Sequence, residues 1–212
     1  LEPLQVDQAL EERIRQAWND GYRSIAVALM HAYCHPQDEI ALGTWLEERG
    51  FGPVHLSHRV SRRARLVPRQ ATTVVEAALA PVLAAYLDRL RADLGAGTHL
   101  RVMTSSGALC APSLLRAKDT ILSGPAGGMV GAAAAARAAG FSDRPLLGFD
   151  MGGTSTDVFH LEPGAGTDGF EHRSETEIDG LRLQAAMLPI HTVAAGGGSV
   201  LHVEGGRLQV GP

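Results

Sequence analysis

The segment Phe149-Asp150-Met151-Gly152-Gly153-Thr154-Ser155-Thr156-Asp157-Val158 constrains this chain more than any other. The run Pro145-Leu146-Leu147-Gly148-Phe149 before it is apolar and strand-like, and Val158-Phe159-His160-Leu161 after it suits a second strand. The segment therefore predicts the bend of a β-hairpin. Gly152 and Gly153 allow backbone dihedrals closed to other residues and a close approach to a ligand. Successive N–H groups in such a bend can face an anion, and Thr154, Ser155 and Thr156 add hydroxyl donors at the same place. Asp150 and Asp157 would repel a phosphate held there unless a hard cation such as Mg²⁺ lay between them. The same residue types also suit a tight hairpin that binds nothing. The pattern is neither a P-loop, which ends in Gly-Lys-[Ser/Thr], nor the Gly-x-Gly-x-x-Gly that opens a helix.

Periodicity orders the rest. Val6, Ala9, Leu10, Ile14, Ala17 and Trp18 recur at helical spacing, and Ile25 to Met30 reads as a buried strand. A second helix runs from Pro36 to Gly50, Val54 to Val60 is strand-like, and a long helical pattern passes through Val74, Ala78, Val82, Tyr86 and Leu90, with Pro81 expected to kink or divide it. Leu100 to Met103 predicts a strand and Pro125 to Ala139 an Ala-rich helix. From Arg144 onward, Gly-rich turns separate short strand-like runs, which predicts a mostly antiparallel sheet. The fold class expected is α/β, with a strand-helix layer over 1–144 and a second domain begun over 145–212.

Composition narrows the function. At 212 residues and 45% hydrophobic, the chain can bury a sizeable core. A formal charge of −4 supplies no basic field, so nucleic acid is not an expected partner. No run reaches the roughly 18–20 apolar residues of a membrane helix and no signal-peptide layout is present, which makes cytoplasmic the expected location and leaves no membrane partner. Cys34 and Cys110 make no disulfide framework. The first residue is Leu1 rather than Met and the last are Gly211-Pro212, so an excised segment of a longer polypeptide is expected.

Two further loops carry chemistry. In Ser123-Gly124-Pro125-Ala126-Gly127-Gly128, Ser123 suits an N-cap and Pro125 a first helical turn; a helix N-terminus there can hold an anion or be simply capped. The glycines Gly196, Gly197 and Gly198, followed by Ser199, suit a backbone laid bare against phosphate or ribose, or equally a flexible turn between strands. His31, Cys34 and His35 have metal-like spacing without a completing cluster, and no nucleophile signature such as Gly-x-Ser-x-Gly occurs.

In these loops and in Ser24–Leu29, Arg101–Leu109 and Val210-Gly211-Pro212, the chain resembles the hydantoinase A and oxoprolinase family of the actin, sugar-kinase and heat-shock-chaperone ATPase superfamily. Where this family usually has Ser-Asn-Gly-Gly, the chain has Ser105-Ser106-Gly107-Ala108. The resemblance implies an actin-like ATPase fold of the ribonuclease H-like type, with the chain covering the end of a first domain, its crossing helix, and the phosphate-binding hairpin of a second. It implies an enzyme that opens a cyclic amide such as a hydantoin or 5-oxoproline at the expense of ATP, through phosphorylation of the substrate oxygen. The implied cofactors are ATP and Mg²⁺. Asp150 would hold the metal, Asp157 would support the loop or the metal, and Gly152, Gly153, Thr154, Ser155 and Thr156 would cradle phosphate. Ser123 and Gly124 would stand beside the nucleotide, and Gly196, Gly197, Gly198 and Ser199 would contact it. An earlier phosphate loop typical of the family has no match before Asp150, so half an active site is expected here. A second subunit or fused domain is an implied partner. ATP-dependent carboxylation of a ketone, and a non-catalytic nucleotide-gated module, use the same phosphate-loop residues and stay open.

Overall fold

A computed structural model describes residues 6–95, 97–141, 143–162 and 170–211; Leu1 and Pro212, which figure in the reading of the chain ends, lie outside them. The first half contains α1 (Gln8–Asn19), β1 (Ile25–Val27), α2 (Gln37–Glu48), β2 (Val54–Leu56), α3 (Ser57–Val60), α4 (Leu66–Leu94), β3 (Val102–Met103) and β4 (Leu109–Cys110). After a 3-10 turn at Ala117–Thr120 come α5 (Ser123–Ala138), β5 (Leu146–Met151), β6 (Thr156–Leu161), β7 (Thr176–Ile178), β8 (Leu181–Leu183), β9 (Ile190–Val193), β10 (Val200–Glu204) and β11 (Arg207–Gly211). These elements form two compact units that interleave along the chain.

The first unit draws its described residues from Leu1–Val102, Ala111–Asp119 and Ser174–Ala185. Its sheet is a parallel pair in which Ile25, Ala26 and Val27 of β1 stand opposite Val54, His55 and Leu56 of β2. Val27, Leu46, Phe51 and Leu56 form the core, with Ile14, Trp18, Ile25, Leu42 and Trp45 packed against it. Asp7 caps α1 by accepting a 2.8 Å hydrogen bond from the Leu10 N–H.

A polar network is buried in the same unit. Glu39 is fully buried; its carboxylate accepts from Ser57 Oγ (2.5 Å), the Leu29 N–H (2.8 Å) and the His58 N–H (3.0 Å), and lies 2.7 Å from His58 Nδ1. Burial alone would raise the Glu39 pKa, but the hydrogen bonds from Ser57, His58 and Leu29 together hold it below the usual 4.5. Arg69, also fully buried, donates to Ser57 Oγ and to the carbonyls of Leu29, Met30 and Arg63. This network explains why strand-like Val54–Val60 is strand only to Leu56: the carboxylate draws Ser57 and His58 into the turn of α3.

Helix α4 is continuous for 29 residues rather than divided at Pro81, whose ring lies on the exposed side. It contains an 18-residue window of mean hydropathy 1.3, long and apolar enough to cross a membrane by length and composition, although no run of purely apolar residues was evident in the sequence. Its buried side carries Arg69, Thr72, Thr73 and Glu76, and packs against β1, β2 and β8. There Thr72 Oγ1 accepts from the Gln184 N–H (2.8 Å), and Glu76 accepts from the Lys118 N–H (2.7 Å).

The second unit comprises Met103–Cys110, Ala186–Pro212 and Thr120–Arg173, as far as these are described. Its centre is an antiparallel sheet in the order β5-β6-β9, with α5 on one face. Ala126, Met129 and Ala133 of α5 meet Phe159, Leu161, Phe170 and Leu188 in a single core, joined by Leu146 and Ile190. Strands β10 and β11 form a separate antiparallel hairpin. Beyond residue 144 every strand pair is antiparallel among the described residues, as the Gly-rich pattern predicts. Helix α5 lies before residue 144 in the chain and shares its core with β6.

Candidate functional site

The hairpin forms where the sequence places it. Strands β5 and β6 pair in continuous register from Leu146↔Leu161 to Met151↔Thr156, leaving Gly152–Ser155 as the bend. Period-2 alternation then sorts the side chains. Leu146 and Gly148 of β5, with Phe159 and Leu161 of β6, belong to the face that packs on α5. Asp150 and Asp157 continue that face to its end beside the bend, and the register sets them directly opposite each other. Directly opposed residues have Cβ atoms about 4.5–5.5 Å apart, so this pair is mutually repulsive when both are ionised. Asp157 is half-buried and accepts a 2.6 Å hydrogen bond from Thr192 Oγ1 on β9. Asp150 is exposed, and its carboxylate has no hydrogen-bond or ion-pair partner among the described residues. Its Oδ2 lies 3.3 Å from where a Cβ on Gly128 of α5 would stand.

The bend itself is partly engaged. The Gly152 N–H donates to Ser155 O at 2.9 Å, closing the turn. The N–H groups of Gly153, Thr154 and Ser155 have no acceptor among the described residues, and neither have the hydroxyls of Thr154 and Ser155. Thr156 differs from them. Its side chain is buried, and its hydroxyl donates to Ala195 O at 2.6 Å, so it joins two loops instead of facing outward with its neighbours.

The triple glycine is explained by the protein itself. Gly197 N–H donates to Gly152 O (2.9 Å) and Gly198 N–H to Gly153 O (2.8 Å), which lays the second loop flat on the bend. A Cβ at Gly196 would stand 2.6 Å from Gly152 O, 2.7 Å from Gly153 C and 2.7 Å from Thr154 N. The remaining amides are also satisfied, since Gly196 N–H donates to Ser199 Oγ (3.0 Å) and Ser199 N–H to Gly196 O (3.0 Å). All four amides are thus engaged within the fold, and the bareness of Gly196 serves loop-on-loop packing. On the opposite face of the sheet from the acids, Phe149, Met151, Val158 and Val193 line a cavity of about 340 Å³ with Leu201, Val210, Gly196 and Ser199.

The expected cap at Ser123 is corrected. The N-cap of α5 is Leu122, Ser123 is the first helical residue, and no side chain caps this end. The hydroxyl at the helix entry is that of Ser105, fully buried, which accepts from the Leu122 N–H at 2.9 Å. The turn that departs from the family pattern therefore has a structural task. Gly124 is exposed with open space around it, four residues before Gly128 and so about 6 Å back along the helix axis from the Asp150 contact. Among the described residues no three His, Cys, Asp or Glu side chains converge as a metal site, at His31, Cys34 and His35 or elsewhere. A hard cation bound mainly by phosphate oxygens and water needs only one or two carboxylates, and opposed Asp150 and Asp157 fit that requirement.

The fold and site define an α/β chain with an acid-flanked, glycine-buttressed hairpin. A family model described as hydantoinase/oxoprolinase matches residues 69–212, and the chain belongs to that family. It is 38% identical over 208 residues to a 5-oxoprolinase of Saccharomyces cerevisiae, covering 97% of this chain and 16% of that protein. The crystal structure of an ATP-dependent caprolactamase from Pseudomonas jessenii superposes with a TM-score of 0.77 at 30% identity, over 100% of this chain and 31% of the caprolactamase chain. A nucleotide-free acetone carboxylase shares the fold at a TM-score of 0.75 and 24% identity, over 95% of this chain and 29% of its own. The chain thus spans about one sixth of the length of the curated 5-oxoprolinases it matches.

Proposed function

We propose that these residues are the second-domain phosphate site, with its supporting layer, of an ATP-dependent enzyme that opens a cyclic amide. The observation that carries the proposal is the grouping on one hairpin of Asp150, without a partner among the described residues, opposed Asp157, and the unengaged amides of Gly153, Thr154 and Ser155. Asp150 would hold Mg²⁺, Asp157 would support it, and the amides and hydroxyls of Gly153 to Ser155 would face phosphate. Gly196 to Ser199 and Thr156 would act indirectly, by fixing the bend in a conformation that leaves those amides free. Bound Mg-ATP would supply the phosphoryl group that activates the amide oxygen. The start of α5 at Ser123 and Gly124, left without a side-chain cap, would lend its positive end to the same anion.

This reading includes an actin-like ATPase fold for the longer polypeptide, with 1–144 belonging to its first domain and 145–212 to its second. It also includes a second subunit or fused domain, since one relative is named as caprolactamase subunit alpha, and a cytoplasmic location. The test is ATP hydrolysis by the full-length polypeptide with and without 5-oxoproline, hydantoins, lactams and ketones. Turnover stimulated by a cyclic amide, and abolished in Asp150→Ala, supports the proposal. Stimulation by ketones alone makes the enzyme a carboxylase, and ATP-driven closure without turnover makes the chain a nucleotide-gated module.

A further inference from the structure

Asp150, Asp157 and Thr192 form one cross-strand row over β5, β6 and β9, since the register sets Asp150 opposite Asp157 and Asp157 opposite Thr192. Directly opposed residues share a face of the sheet, so all three lie on the α5 side, at the end beside the bend. Ile190, two residues earlier on β9 and packed against the core of that face, agrees with this placement. The pairing of β9 with β6 runs from Thr156↔Val193 to Phe159↔Ile190, so Thr192 stands on a strand already fixed by its neighbour.

The central acid of the row is held by one oxygen. Thr192 Oγ1 donates to Asp157 Oδ1 at 2.6 Å, a short bond of the kind a hydroxyl makes to a carboxylate. Asp157 Oδ2 has no hydrogen-bond or ion-pair partner among the described residues, so it is the oxygen the side chain presents. This difference bears on the choice of cation. Mg²⁺ demands a near-ideal octahedron of oxygens and takes one or two carboxylates with phosphate and water, whereas Ca²⁺ accepts about six to eight oxygens in looser geometry, including both oxygens of one carboxylate. An untied Asp157 could turn to offer both oxygens. With Oδ1 tied to Thr192, it offers Oδ2.

We infer that Thr192 is a positioning residue that sets the cation preference of the hairpin: by tying Asp157 Oδ1 it makes Asp157 a one-oxygen donor and favours Mg²⁺ over Ca²⁺. This role rests on the reading of Asp150 and Asp157 as a site for a phosphate-bound cation. Thr192 itself touches neither phosphate nor metal in this role; it acts through Asp157.

The test is calorimetric binding of a non-hydrolysable ATP analogue to the full-length polypeptide, with Mg²⁺ or with Ca²⁺, in the wild type, Thr192→Val and Thr192→Ser. Valine keeps the branching of threonine and removes the donor. Thr192 is exposed and β9 keeps its backbone pairing, so the variant is expected to fold, and Thr192→Ala removes the same donor with a second side chain. Losing the hydrogen bond behind a metal-binding carboxylate costs roughly 10–100-fold in metal affinity, so Mg²⁺-supported binding should weaken at least about tenfold in Thr192→Val while Ca²⁺-supported binding changes less than about threefold. Thr192→Ser restores the hydroxyl and should return both to within about threefold of the wild type. In an Asp157→Asn background, Thr192→Val should add nothing further, as expected of a residue that acts through Asp157. An unchanged preference for Mg²⁺ in Thr192→Val and Thr192→Ala overturns the inference, and so does an equal loss with both cations, which would make Thr192 a support of β9 alone. Binding by the wild type that needs neither cation overturns the cation-site reading along with the inference, and is told apart because it is seen before any substitution.

Discussion

Replacing Gly196 by alanine tests the loop-on-loop arrangement behind the candidate site. The added methyl would meet three backbone atoms at 2.6–2.7 Å, well inside ordinary contact, and none of them belongs to a side chain that could rotate away. One loop must lift from the other. Lifting breaks the hydrogen bonds from Gly197 to Gly152 and from Gly198 to Gly153, each worth a net of about 0.5–1.5 kcal/mol. It also strains the tie from Thr156 to Ala195, so the total loss is about 2–4 kcal/mol. In a protein of this size each kcal/mol lowers Tm by roughly 2–4 °C, which gives a fall of roughly 5–15 °C in thermal unfolding. The neighbouring Gly197→Ala is the control. Its methyl meets only Gly152 O at 3.7 Å, an ordinary contact, and its effect should stay within about 1 kcal/mol of zero. Equal stability of the two variants would refute the claim that Gly196 is bare in order to seat the second loop.

Other outcomes follow from the same structure. In Gly148→Ala the new methyl would stand 1.9 Å from Phe159 Cε2, so the ring must leave a well-packed core; a loss of about 2–4 kcal/mol in urea unfolding is expected. Arg69→Leu strands the carbonyls of Leu29, Met30 and Arg63, and a loss of at least about 3 kcal/mol is expected by the same measurement. Stability should also fall on acidification in two stages. Desolvation, opposed by Glu76 and aided by Arg116, holds the His55 pKa below 6.5, so its contribution is complete above pH 6.5 and declines as pH falls from there through the folded value. The Glu39 contribution, likewise from a lowered pKa, is complete above 4.5 and is lost at lower pH. Urea midpoints against pH should show both stages, with His55→Gln removing only the upper one.

The hairpin was legible in the sequence because its signal is local: alternation on both sides, two glycines between, and a register that follows from the bend. Opposition of Asp150 to Asp157 follows from that register alone. What was not legible depends on distant partners. Thr192 reaches Asp157 only because β9 joins the far edge of β6, and nothing around Thr192 in sequence announces this. Ser123 was a reasonable cap by residue type, but Ser105, brought in by the turn after β3, holds the helix entry instead. The triple glycine shows in the sequence that its backbone must be bare, but not that the neighbour laid against Gly196 is the bend itself. The end of β2 at Leu56 was hidden because Glu39, well upstream of it, sets that turn.

The most direct test of the phosphate site is calorimetric binding of ATP to the full-length polypeptide, wild type and Asp150→Asn, with and without Mg²⁺. Removing one of two opposed carboxylates should leave thermal stability unchanged or raise it by up to about 1 kcal/mol, which separates binding from folding. Tight binding that requires Mg²⁺ in the wild type, and loss of that requirement with at least tenfold weaker affinity in Asp150→Asn, is the expected result. An Asp150→Asn protein that binds Mg-ATP as the wild type does would contradict the role given to Asp150.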